Sequence, residues 1–124
     1  MVTLLSQREQ VIVVTHEFMP ENKAIKIVEQ QYPAASVSEQ AYFALLKYDQ
    51  SEDHFLLAEA SSVTGSIIND IIKINFSHGR YLSEEKSDRF VWVVSGGPPS
   101  LPRYIVDAKS GEIVGYWTPC PQCG

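Results

Sequence analysis

Apolar positions in this chain fall into short runs separated by turn-forming residues, and the clearest runs lie in the last third. Phe90 to Val94, Tyr104 to Val106 and Glu112 to Trp117 are rich in β-branched and aromatic residues and predict three strands. In the first of them, alternation places Phe90, Trp92 and Val94 on one face. The last two are joined by Val106-Asp-Ala-Lys-Ser-Gly-Glu-Ile113, where Gly111 tolerates φ > 0 and suits a short hairpin loop with a bulge. Upstream the period changes. Ala24, Ile25, Val28 and Tyr32 share one helical face, while Lys23, Lys26, Glu29 and Gln30 share the other. Pro20 suits the first turn of that helix, and Pro33 ends it by pushing Tyr32 out of the α region.

Other segments read two ways. Ser6 and Glu9 have capping-box spacing, and Val11, Val14 and Phe18 would share a helical face. Against that, the β-branched run from Val11 to Thr15 favours a pleated surface, and strand is the preferred reading. Ala41 to Tyr48 and His54 to Glu59 flank the polar turn Asp49-Gln-Ser-Glu-Asp53 and predict a hairpin, although Ala and Leu also suit helices. Ile67, Ile68, Ile71 and Ile72 have helical spacing, yet Ile72, Ile74 and Phe76 alternate like a strand into the turn Ser77-His-Gly-Arg80. The pattern as a whole is α+β: one or two helices packed on an antiparallel sheet of four to six strands.

A chain of 124 residues with 44% hydrophobic content is expected to form one domain over residues 1–117, followed by a tail over 118–124. No run approaches the ~18 apolar residues of a membrane-spanning helix. The first residues lack a basic stretch followed by an apolar core and a small-residue cleavage site. The sequence as written therefore points to the cytoplasm, or to an extracytoplasmic site if a signal peptide has been removed.

Charge separates the halves. Residues 1–60 carry nine acids against four bases, and residues 61–124 carry six of each. No basic stripe is present to neutralise phosphates, so nucleic acid is not an expected partner. A basic protein surface is. Asp49, Glu52 and Asp53 cluster on one predicted turn and are the expected contact. Pro98 and Pro99 join them, because the loop from Ser95 to Pro102 holds three prolines and two glycines and loses little entropy on contact.

Catalytic patterns are sparse. His16-Glu17 is not H-E-x-x-H, since the fifth position is Pro20. Ser95-Gly-Gly-Pro-Pro-Ser100 has too few N–H donors to cradle phosphate. Asn75-Phe-Ser77 is a glycosylation sequon, relevant in a secretory pathway. Cys120-Pro-Gln-Cys123-Gly124 resembles one zinc knuckle, but tetrahedral zinc takes four ligands, and the others would have to be His16, His54, His78 or a second chain. The same cysteines could instead form a local disulfide or a thiol-redox pair. No cofactor is expected, with zinc at Cys120 and Cys123 the alternative.

The helix with Ala24, Ile25 and Val28, the strand with Trp92 and Val94, and the hairpin Val106-Asp-Ala…Gly111-Glu-Ile113 together resemble the PepSY family of peptidase-propeptide-type domains. That resemblance implies a helix lying on an antiparallel sheet and an inhibitory or regulatory role toward a protein partner, without catalysis. Trp92-Val-Val-Ser-Gly96 and Tyr104 to Ile113 also resemble small bacterial immunity proteins with a cystatin-like or nuclear-transport-factor-two-like fold. That resemblance implies a cytoplasmic protein that neutralises a toxin. Both imply a non-enzymatic protein-binding module; a zinc or thiol-redox protein built on Cys120 and Cys123 is the reading from another class.

Overall fold

The computed structural model describes residues 18–33, 41–95, 101–120 and 122. Its one described α-helix, α1, spans Glu21–Gln31, and seven described strands follow: β1 (Ala41–Asp49), β2 (His54–Ala60), β3 (Ile67–Ile74), β4 (Gly79–Tyr81), β5 (Arg89–Ser95), β6 (Arg103–Asp107) and β7 (Ile113–Trp117). They form one antiparallel sheet in the order β3-β2-β1-β5-β6-β7-β4, so the fold is α+β. The sheet is wider than the four to six strands expected. β4 is three residues long and was read as part of a turn, and β3 carries a pattern that fits helix as well as strand. The predicted strand at Val11 to Thr15 lies outside the described residues.

The helix is the amphipathic one expected, with Ala24, Ile25 and Val28 buried. Pro20 is its N-cap rather than a residue of its first turn, and Tyr32 ends it with its N–H bonded to the Val28 carbonyl. Three long-range bonds fix its start. Trp92 Nε1 donates to the Met19 carbonyl at 2.8 Å, and Met19 N donates to the Ala108 carbonyl at 2.8 Å. Glu21 Oε2 accepts from Ala41 N at 3.0 Å, tying the first helical turn to the first residue of β1.

Alternation divides the core between the two faces of the sheet. Under the helix lie Phe43, Trp92, Val94, Tyr104 and Val106, with Phe90 packed against them as expected. Tyr32 extends this layer onto Tyr104, ring centroids 5.0 Å apart. The opposite face buries Leu46, Leu57, Val91, Val93, Ile105 and Val114 with no described α-helix over it; Phe76 of a short 3-10 turn, Phe76–His78, packs against it. Curling encloses this second core. Phe55 of β2 stacks on Tyr81 of β4 at 4.5 Å and meets Phe76 edge-on at 5.4 Å, so the strand next to one end of the sheet touches the strand at the other.

The β6–β7 hairpin closes as its sequence predicts. Asp107 Oδ1 accepts from the backbone N–H groups of Lys109 and Ser110, and Gly111 sits at φ +81°. A Cβ there would also stand 3.0 Å from Ile27 Cδ1. Replacing Gly111 by Val is therefore expected to cost about 1–2 kcal/mol, because a β-branched residue is strained at positive φ. Chemical denaturation checks this, and an unchanged midpoint would mean that the loop relaxes freely.

Candidate functional site

Two surfaces stand out. The first is the turn between β1 and β2, where the sequence places Asp49, Glu52 and Asp53. Hairpin pairing runs to Asp49↔His54, so the four residues between them are forced into a tight loop. Asp53 takes φ +52°, a left-handed conformation that Asp tolerates better than most residues. Asp49 Oδ1 accepts from both the backbone N–H and the hydroxyl of Ser51, an Asx-type turn. Asp53 accepts from the Tyr48 hydroxyl and pairs with Lys86 Nζ at 3.3 Å. Lys86 also stands 5.5 Å over the Tyr48 ring. The three predicted acids are thus brought together, and each is already engaged, Glu52 by His54 Nδ1 at 3.3 Å.

These bonds set the titration of the turn. Asp49 is held below its ordinary 3.8, first by the Ser51 hydroxyl. Asp53 is held below the same value, first by the Tyr48 hydroxyl and then by Lys86. The Tyr48 phenol is raised above 10.0, first by its bond to Asp53. Stability from the two carboxylates is therefore complete above their unfolded values and is lost as pH falls through the lowered folded ones. The Tyr48 contribution has the opposite sign: complete below its unfolded value, lost as pH rises through the raised one.

His54 is one of the histidines that could complete a zinc site with the cysteine motif. The structure gives it other neighbours: Nε2 lies 3.6 Å from Asp49 Oδ2 and Nδ1 lies 3.3 Å from Glu52 Oε2. Asp49, Glu52 and His54 each offer a ligand atom, all within 4.8 Å of one another. Three protein ligands are enough for an open zinc site. As placed, however, each ring nitrogen faces its own carboxylate, so binding a metal would require one of these contacts to open. Cys120 is disulfide-bonded, and a disulfide sulfur is not the thiolate that zinc takes. Cys123, Pro98 and Pro99 lie outside the described residues.

The second surface was not singled out from sequence. β3 forms one end of the sheet, and among the described residues no strand pairs with its outer side. Ile67, Ile68, Ile71 and Ile72 are 47–57% exposed along it, with Val63 at 48% in the preceding turn. Ile74 at its far end is buried in the second core. The four isoleucines were visible in the sequence, but their doubled spacing hid which element they build. In the structure, register passes from Ala58↔Ile71 to Ala60↔Ile67, so β3 carries two more residues than β2 across that interval. That irregularity converts a helical-looking spacing into a bulged strand.

Compared with known protein families, curated proteins and solved structures, the chain matches none. The PepSY-like and immunity-protein resemblances rest on the residues quoted for them. For the turn, Asp53→Asn is expected to lower the Tyr48 titration toward 10.0, since the bond to the Asp53 carboxylate heads the causes of its raised value. NMR of the Tyr48 ring across alkaline pH measures this; an unmoved titration would show that the pair does not persist in solution.

Proposed function

We propose that this chain is a non-enzymatic protein-binding module that meets its partner through the β3 edge, with the acidic β1–β2 turn as a further contact surface. The observation that carries the reading is the row of half-exposed isoleucines on a strand whose outer side no described strand pairs with. An edge strand already presents unsatisfied N–H and C=O groups, and edges are commonly protected by shortness, charge or proline. β3 is eight residues long and spends four of them on exposed isoleucine. An apolar patch of this kind on a sheet edge favours association. The PepSY-like residues support a regulatory or inhibitory role toward the bound protein; the immunity-protein residues would make that protein a toxin. In both cases association is the activity.

A photo-crosslinking residue introduced at Ile72 tests the reading in the native cells. It is expected to yield a discrete protein adduct that disappears when Ile71→Lys is added. No adduct, or one insensitive to that change, would remove the edge from consideration. The competing zinc or redox reading is separated by elemental analysis and thiol titration: one tightly held zinc per chain, with reduced thiols, would favour it over protein binding.

A further inference from the structure

The β3 edge constrains what can cover it. Ile67 and Ile71 stand opposite Ala60 and Ala58, on the face of Ala60 and the helix, whereas Ile72 stands opposite Leu57 in the second core. A helix laid on one face would leave the isoleucines of the other in water. An added strand lies in the plane of the sheet, takes up the edge N–H and C=O groups and covers both faces at once. Its own side chains must then be apolar toward both faces. This chain contains such a strand, which is β3 itself.

We propose that β3 pairs antiparallel with β3 of a second copy of this chain, about a two-fold axis at Ile71, joining two sheets into one. The proposal rests on the protein-binding reading above and names the partner at that edge. Charge is one reason for a second copy. The chain as a whole carries −5, which repels a like molecule, but β3 holds one acid and one base, Asp70 and Lys73, and is locally neutral.

Register is the other reason. A two-fold axis normal to the sheet sets each residue opposite one on the same face, so the axis falls at a residue facing its own copy. Centring on Asp70 or Lys73 would put like charges directly opposite, which destabilises a strand pair. Centring on Ile71 sets Ile71 against Ile71, Ile68 against Ile74, Asn69 against Lys73 and Asp70 against Ile72, with no like charges opposed. In this register Ile68 to Ile74 of each copy cover one another while Val63 lies beyond the partner strand, so the contact stays below the ~1,000 Å² that a specific interface clears. The pair is therefore expected to be weak and dependent on concentration. It leaves the acidic turn free to meet an unlike protein.

Sedimentation of the full chain across micromolar to near-millimolar concentration is expected to show its mass rising from 13.9 kDa toward twice that value. Ile71→Lys should remain monomeric with an unchanged circular dichroism spectrum; if that variant fails to fold, the cysteine variants carry the test. Under oxidation Ile71→Cys should give a disulfide-linked dimer, whereas Ser87→Cys, exposed between β4 and β5, should not. A wild-type monomer at every concentration, a dimer that persists in Ile71→Lys, or equal crosslinking of the two cysteine variants would overturn self-pairing. Hydrogen exchange of the wild-type chain separates that failure from failure of the wider reading. A monomer in which the β3 amides that do not bond to β2 exchange fast refutes the second copy alone. A monomer in which those outward amides exchange slowly means that a segment of the same chain covers the edge, and refutes both.

Discussion

The pairing of β1 with β5 holds this molecule together. Its register runs from Ala41↔Val94 to Leu46↔Arg89, joining residues more than 40 apart in sequence. On one side of it hang β2 and β3, on the other β6, β7 and β4. Both cores cross this seam. Phe43 and Trp92 meet edge-on at 5.2 Å beneath the helix, while Ala44 and Val91 oppose each other, fully buried, on the other face. The helix depends on the same pair of strands, since Trp92 and Ala41 hold its first residues. Closing so long a loop costs entropy before any contact repays it. Burial on both faces of one strand pair is what offsets that cost.

Arg89 stands at one end of the seam and gathers the charges around it. Its side chain is 10% exposed and reaches Asp107 at 3.3 Å and Glu112 at 3.0 Å, the two ends of the β6–β7 turn. It also donates to Ser83 Oγ and to the Glu85 carbonyl in the segment leading into β5. One guanidinium thus connects three stretches of chain, while its Nε has no partner among the described residues. A planar fork with several donors can do this where the single ammonium of a lysine could not. Largely buried charges of this sort gain little over apolar packing of the same volume, and this one connects the segments it touches.

What could be read from the sequence was local. The β6–β7 hairpin, the β1–β2 hairpin and the helix each announce themselves within a dozen residues, through Gly111, the Asp49–Asp53 turn and the spacing of Ala24, Ile25 and Val28. Alternation alone puts Phe90, Trp92 and Val94 on one face, and the structure gathers them in one core layer. The curl was not legible, because it depends on Phe55, Phe76 and Tyr81 meeting across the sheet. Nor was β4, whose identity rests on a tight approach: a Cβ on Gly79 would fall on the Tyr116 carbonyl. The acidic turn was found as a cluster of charges, but its engagement by Tyr48, Ser51, His54 and Lys86 needed the hairpin register to appear.

The exposure of β3 follows from where the curl closes. Phe55 brings β2, the second strand from its end, against Tyr81 of β4, and the aromatic contact seals the second core there. β3 lies beyond that seam. Its last residue, Ile74, reaches back opposite Phe55 and is 2% exposed, whereas Ile67 at the other end is 47% exposed. This strand places Ile74 in the second core and leaves Ile67, Ile68, Ile71 and Ile72 outside both cores. Lys73 and the bulge between Ile67 and Ile71 moderate that edge without hiding it. The strand is therefore paired with β2 from Ile74 to Ile67 on its inner side and meets no described strand on its outer side, a geometry suited to taking up a further strand.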